Sequence, residues 1–317
     1  MSDRPPDATR TGRITILLAT CNGARHLEAQ LGSYLAQEDP RWDLWVSDDG
    51  STDDTRAILD TFRRAHSAAH DIRLFEGPQA GPAANFMALL TRPELPAGPV
   101  ALSDQDDVWL PQKLSLARAT LEKAGPAGPV VYSAQSIYTD PDLHETGRSR
   151  PPARPPDFRN ALTQNIVSGH SLVLDADALA LVRRAGIPQG IPYHDWWLYQ
   201  VISGAGGRVI VAPDTVLYYR QHGRNAMGAH HGIAASVRRT SQVLGRTYGH
   251  WIDANAAALS RISALLTPEN AALLDTFRRL PSKAGLRRAL AFSRLGLHRQ
   301  SRPATVGLLV AAGLGWV

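Results

Sequence analysis

The chain is poor in cysteine: its 317 residues hold one, Cys21. That excludes a disulfide scaffold and a cysteine-based structural zinc site, and it suits a reducing, cytoplasmic compartment. No apolar run reaches the roughly 18–20 residues needed to span a bilayer. The longest, Thr305–Val317, is short and broken by glycine. Met1–Arg13 is polar, with no apolar stretch behind a basic start, so no secretory signal is expected there. A GxSxG elbow, an HExxH helix and a P-loop are missing, and no GxGxxG follows a strand. These gaps speak against a serine hydrolase, a zinc protease, a P-loop kinase and an ordinary NAD enzyme. The composition is globular, with 44% hydrophobic and 20% charged residues. The length suits one large α/β domain with an appendage.

The net charge of +5 is unevenly spread. Arg278–Arg302 carries eight Lys/Arg and no acid, which leaves 26 basic against 29 acidic residues elsewhere. A slightly acidic body with a basic tail argues against a nucleic-acid partner.

Short apolar runs alternate with helical spacing. Ile14–Ala19, Asp43–Ser47, Ile72–Phe75, Pro99–Ser103 and Val130–Ser133 read as strands. Leu27/Leu31/Tyr34, Ile58/Leu59/Phe62 and Leu114/Ala117/Leu121 mark helices between them. This alternation predicts an α/β fold, a mostly parallel sheet with helices on both faces. Val209–Ala212 and Val216–Tyr219 read as two further strands, and Thr146–Asp157 reads as a Pro/Arg-rich loop. Beyond Gly228 the chain reads as helical. The expected divisions are a flexible 1–12, a catalytic 13–228 (a nucleotide-binding half, 13–107, and an acceptor half, 108–228) and a helical extension, 229–317.

Ligands of such sheets sit beyond the carboxyl ends of the strands. The loops there hold Thr20/Asn22, Asp48/Asp49 and Asp104/Asp106, so three polar clusters converge on one edge. Alternate carboxylates at a strand end can grip Mg²⁺ or Mn²⁺ and leave positions open for phosphates; they can equally be an acidic turn that caps the next helix. Asp48 and Asp49 can accept from a nucleobase or ribose, or simply make a turn. His194-Asp195-Trp196-Trp197 sets a titratable pair among aromatic walls, which suit sugar rings and a tuned carboxylate; a helix N-terminus over a core gives the same pattern. Arg220 and His222 follow the last strand, where arginine offers bidentate contacts to phosphate and histidine can ligate a metal.

Taken in order, Ile14–Asn22, Val46-Ser47-Asp48-Asp49-Gly50-Ser51-Thr52-Asp53 and Leu102-Ser103-Asp104-Gln105-Asp106-Asp107-Val108-Trp109 resemble family 2 glycosyltransferases of the GT-A fold. The Gln-Asp-Asp-Val-Trp form, His194-Asp195-Trp196-Trp197 and Tyr219-Arg220-Gln221-His222-Gly223 are similar to bacterial rhamnosyltransferase-type members. The resemblance covers about residues 13–228. It implies a nucleotide-sugar donor, with dTDP-L-rhamnose suggested, a divalent metal and inversion at the anomeric carbon. It implies that Thr20, Asn22, Asp48 or Asp49 face the nucleoside, and that Asp104 and Asp106 form the metal and diphosphate motif, Asp106 being the direct ligand. It makes Asp195 the catalytic base. It sets Gly169, His170, Trp109 and Trp196 near acceptor and donor sugar, and Arg220 with His222 at the diphosphate, His222 as a further metal ligand. The Gln-x-x-Arg-Trp motif of processive synthases is absent, so a distributive enzyme of cell-surface polysaccharide synthesis is expected, acting on a glycan or lipid-linked acceptor.

Were Lys283–Arg302 one helix, its basic residues would share one arc beside Leu286, Leu290 and Leu297, a pattern suited to an anionic membrane at the inner face of the plasma membrane; a solvated helix packed on the body is the other reading. Two rival functions stand beside the transferase. A nucleotidyltransferase would want a Gly/Arg/Lys-rich loop after the first strand, unlike Thr20-Cys21-Asn22-Gly23-Ala24. A non-catalytic carbohydrate-binding relative would lose acids that this chain keeps at Asp104, Asp106 and Asp195.

Overall fold

A computed structural model describes residues 12–221, 246–280 and 285–317 of the chain. The first apolar runs become β1 (Ile14–Thr20), β2 (Trp42–Asp48), β3 (Ile72–Glu76) and β4 (Val100–Ser103). Between them run α1 (Ala24–Leu35), α2 (Thr55–His66) and α3 (Pro82–Leu90). β5 (Val108–Trp109), α4 (Lys113–Ala124), β6 (Val130–Thr139), β7 (Glu145–Arg148), α5 (Phe158–Ala161) and β8 (Val173–Leu174) follow. Then come α6 (Ala176–Ala185), α7 (His194–Gly204) and β9 (Arg208–Arg220).

One sheet is ordered β3-β2-β1-β4-β8-β6-β9-β5, with β7 beside β6. β1 to β4 pair in parallel, as their helical crossovers require. The second half is mixed: β6 and β9 are parallel, while β5, β7 and β8 run antiparallel to their neighbours. β7 joins β6 through the turn at 140–144, so the loop expected from Thr146 opens as a hairpin strand. The two strands expected at 209–212 and 216–219 are one, β9. Its register against β6 slips between Ser133 and Ser136, where Pro213 interrupts the ladder.

Both faces of β1 are buried, which is why Ile14–Ala19 reads as a continuous apolar run. Ile14, Ile16 and Leu18 join Leu27, Leu31 and Leu114 under α1 and α4. Leu17 and Trp45 face the other way, toward Phe86, Trp196 and Trp197. That second cluster continues into α8 (Arg246–Arg261), α9 (Pro268–Arg278), α10 (Leu286–Arg294) and α11 (Arg302–Leu314), through Leu259, Phe277, Phe292 and Leu308. The helical extension therefore shares the core of the sheet. The boundary expected near 228 lies outside the described residues, as does Lys283.

The single helix considered over Lys283–Arg302 is instead a helical hairpin. Gly296 takes φ +68°, and the Gly296 and Leu297 amides donate to Ser293 O (3.0 Å) and Phe292 O (3.1 Å), ending α10. Ser301 Oγ then accepts from the Ala304 amide at 3.2 Å and starts α11, with Pro303 in its first turn.

α4 is tied to the chain entering β2 by Asp39, which accepts from Arg41 Nε at 2.9 Å and Arg118 Nε at 2.5 Å. Burial pushes the Asp39 carboxyl up, but the hydrogen bonds from Arg41 and Arg118 outweigh it and hold it at about 2. A carboxyl depressed from the usual 3.8 stabilises the fold above that value and loses the contribution as pH falls through about 2. Asp39→Asn is therefore expected to cost about 2 kcal/mol near neutrality, with the gap from wild type closing below pH 4. Denaturant midpoints measured against pH check this; a gap independent of pH would contradict it.

Candidate active site

Three loops at the carboxyl ends of β1, β2 and β4 are bolted together. Asn22 sits at φ +49°, a left-handed conformation that asparagine tolerates. Its Oδ1 accepts from the Thr52 amide (2.8 Å), and its own amide donates to Ser51 Oγ (2.8 Å). Asp48 is buried and accepts from Thr20 Oγ1 (3.0 Å), the Ser51 amide (3.0 Å), Ser51 Oγ (2.5 Å) and Arg56 Nε (2.7 Å). Burial raises its carboxyl, yet the bonds from Ser51, Arg56 and Thr20 leave it below the usual range. Asp49 accepts from the Gln79 amide (2.6 Å) and the Gly81 amide (2.9 Å), which fixes the turn before α3. Gln105 spans from the acidic loop to β1: its Oε1 accepts from the Cys21 amide (2.8 Å) and its Nε2 donates to Cys21 O (3.0 Å).

Asp104, Asp107 and His170 each offer a ligand atom within 4.8 Å of the others. Asp107 is wholly buried, and neither of its carboxylate oxygens has a hydrogen-bond partner among the described residues. His170 Nδ1 lies 3.9 Å from Asp104 Oδ2 and 4.0 Å from Asp107 Oδ2. Its ring stacks on Tyr219 at 4.6 Å, and its Nε2 lies 2.8 Å from Ser136 Oγ. In the tautomer protonated at Nε2, Ser136 accepts that proton and the Nδ1 lone pair faces the carboxylates. Two oxygen donors and one imidazole could hold a divalent ion, and the bare carboxylate of Asp107 fits that use. Burial, then the charges of Asp106 and Asp195, push Asp104 up to about 7. Burial likewise drives Asp107 well above the usual range, with Asp106 and Asp104 adding to it.

The counter-charge is Lys113, at the first turn of α4. It is fully buried, its Nζ donates to His170 O (2.5 Å) and sits 3.4 Å from the centre of the Trp109 ring. Burial holds its ammonium well below its ordinary value against the pull of Asp107 and Asp104. Trp109 is buried and reaches the acidic cluster through this lysine. Arg220, also buried, donates from Nε to Asp106 O (3.0 Å) and from Nη1 to Pro141 O, so it holds the acidic loop from below.

Asp195 opens α7 and remains partly exposed. Its Oδ1 accepts from the Trp196 amide (2.7 Å) and its Oδ2 from the Gly169 amide (3.2 Å). His194 behind it is buried and stacked on Phe86 at 4.1 Å; burial lowers its pKa, so it stays neutral. Trp196 is core, its indole N–H donating to Ala161 O at 2.7 Å. The structure thus brings Asp104, Asp106, Asp195 and His170 together around one acidic centre, with Thr20, Asn22, Asp48 and Asp49 on adjoining loops. Trp109, Trp196 and Arg220 stand behind that surface. His222 lies outside the described residues. Sequence reading did not set Asp107 and His170 among the candidate metal donors, and it missed Lys113 altogether. Asp107 stood in the quoted motif, but a lysine in an ordinary helical stretch carries no signal of burial.

Two outcomes follow. A Cβ at Gly169 would stand 2.6 Å from His194 Nε2, and the stacked imidazole has little room to retreat. Gly169→Ala is expected to cost about 1–3 kcal/mol of stability, read by denaturant unfolding, and to disturb the amide that holds Asp195. Lys113→Met strips the cation from buried carboxylates and is expected to cost about 3–5 kcal/mol. Adding Asp107→Asn should restore part of that loss; strictly additive effects in the double variant would contradict the electrostatic coupling of Lys113 with Asp107.

Comparison with known proteins fits this geometry. The family described as "Glycosyl transferase family 2" matches residues 15–184. The chain is 25% identical over 253 residues to the dTDP-rhamnosyl transferase RfbG of Shigella flexneri, covering 77% of this chain and 84% of that one. Among solved structures, TarS 1-349 of S. aureus with UDP-GlcNAc aligns at a TM-score of 0.55 and 16% identity, over 89% of each chain. The mannosyltransferase PcManGT of Pyrobaculum calidifontis, with GDP-Man and Mn²⁺, aligns at 0.52 and 22% identity, over 98% of this chain and 88% of that one. These two likenesses speak for the fold. With more than half its length matched by the family, the chain belongs to glycosyl transferase family 2 and is a glycosyltransferase.

Proposed function

We propose that the chain moves a sugar from a nucleotide-sugar donor to a hydroxyl of a glycan or lipid-linked acceptor in cell-surface polysaccharide synthesis, with inversion at the anomeric carbon. The observation that carries this reading is Asp195: a partly exposed carboxylate, oriented by two backbone amides, beside an acidic cluster. In this role it takes the proton of the acceptor hydroxyl as that oxygen bonds to the anomeric carbon. The bond to the diphosphate breaks on the opposite face, which inverts the centre without a covalent intermediate. Gly169 and His170 lie beside the reacting groups, and Gly169 contributes the amide that aims Asp195.

The nucleoside rests against the loops of Thr20, Asn22, Asp48 and Asp49. Asp48 is already committed to four protein donors. Its contribution is therefore a fixed surface as much as a free acceptor. Asp104, Asp107 and His170 would hold the divalent ion, with Asp106 and His222 as further donors. When bound, such an ion neutralises charge on the departing diphosphate. Arg220 holds the acidic loop through the Asp106 carbonyl. The likeness to RfbG over 84% of that protein supports dTDP-L-rhamnose as donor.

The test is a panel of nucleotide sugars with Mg²⁺ or Mn²⁺, scored for donor binding and turnover. dTDP-L-rhamnose should be bound and turned over in preference. Asp195→Asn should bind donor as wild type does and lose transfer by about 10²–10⁴-fold. Wild-type transfer by that variant would overturn the base assignment. Formation of a nucleotide sugar from a sugar phosphate and a nucleoside triphosphate would overturn the transfer reading itself.

A further inference from the structure

Seven large apolar side chains are exposed among the described residues, and five of them lie on the α10–α11 hairpin: Leu286, Leu290, Val306, Val310 and Leu314. Leu286 is 75% exposed and Val306 60%, so these are open surface and not grazing contacts. Within each helix they recur four residues apart, one above the other on a single face. The two helices lie close: a Cβ on Gly313 would be 3.7 Å from that of Ala289.

The opposite face is spoken for. Phe292, Leu308, Ala311 and Ala312 enter the core. Arg288 Nε donates to Val317 O (2.7 Å), Thr163 Oγ1 to His298 O (2.7 Å) and the Gln300 amide to Gln164 Oε1 (2.9 Å). The hairpin is therefore docked in one orientation, and it cannot roll to cover its outer face. An apolar patch held open in this way marks a binding surface.

The charge around it selects the occupant. From Thr276 to Val317 there are eight Lys/Arg and no Asp or Glu. Arg287, Arg294 and Arg302 are exposed on the same two helices. A second copy of the chain would bring these arginines against their equivalents, so like charge opposes self-association. A sheet of phosphates over hydrocarbon answers both features. We propose that the outer face of the α10–α11 hairpin docks on an anionic lipid surface, its five apolar side chains entering the headgroup boundary and its arginines meeting lipid phosphates. The apolar anchor comes mainly from α11, beyond the basic stretch that the sequence brings to notice. The inference rests on the transferase reading only in its purpose, which is to hold the active site near a lipid-linked acceptor.

The full chain is tested by co-sedimentation with vesicles of phosphatidylcholine, with and without phosphatidylglycerol. Binding is expected with phosphatidylglycerol and to weaken with salt. The pair Leu286→Glu and Val310→Glu should reduce partitioning at least tenfold. The set Arg287→Gln, Arg294→Gln and Arg302→Gln should reduce it by a similar factor or more. All five sites are exposed, so melting temperatures should match wild type, and turnover on a soluble acceptor should be unchanged. That last readout separates failure of this proposal from failure of the transferase reading. Equal binding to both vesicle types, binding retained by both variants, or a wild-type dimer that the variants abolish would overturn it.

Discussion

Four carboxylates, Asp104, Asp106, Asp107 and Asp195, crowd one end of the sheet, and at least one of them is out of water. Such a cluster repels itself, and burying charge without a partner costs far more than the exposed groups nearby can return. Lys113 is the fold's answer. Its ammonium is buried against an indole face of β5, just after the loop that carries Asp107, and bonded to the His170 carbonyl. One side chain thus attracts Asp107 and Asp104 and ties down the turn of the histidine that faces them. Burial and mutual repulsion raise both Asp104 and Asp107, and a divalent ion held between them would offset that repulsion and favour their charged forms.

The neighbouring loops solve a different problem, that of holding a polar surface rigid where no strand continues. Asn22 in a left-handed turn, Gln105 bridging the backbone of Cys21, and Asp48 collecting four donors tie together residues far apart in sequence. Each is a polar side chain satisfied by backbone or by another loop, so the ends of β1, β2 and β4 move as one unit. A nucleotide meeting this surface would find it already organised, which lowers the entropy lost on binding.

Much of this was legible in the sequence. Apolar runs and helical spacing gave the strand–helix alternation, and the rule that ligands sit at strand ends gathered Thr20, Asp48, Asp104 and Asp106 on one edge. What stayed hidden has physical causes. β5, β7 and β8 are too short for a period to show, so the mixed half of the sheet was read as parallel or as loop. Burial of Lys113 arises from packing across β5, α4 and the turn at Gly169, none of which local pattern encodes. Trp196 was read as an aromatic wall and Trp109 as a neighbour of the sugars, because sequence shows a ring's chemistry but not which way it faces. The break at Gly296 was visible as a glycine, yet only the paired amides of Gly296 and Leu297 show that it ends a helix.

The arrangement at Asp195 gives a reason for its neighbours. A carboxylate proposed as a general base must be held in a defined direction. Two backbone amides orient it, one from the first turn of a buried helix and one from a turn packed against His194. Burial on Phe86 lowers the pKa of His194, which disfavours a cation beside Asp195. Glycine at 169 is what lets that imidazole approach closely enough to back the turn. The counter-charge of Lys113 serves the acids at the strand end, while the carboxylate proposed to move the proton is held by neutral donors, and the two kinds of carboxylate can differ in task while standing side by side.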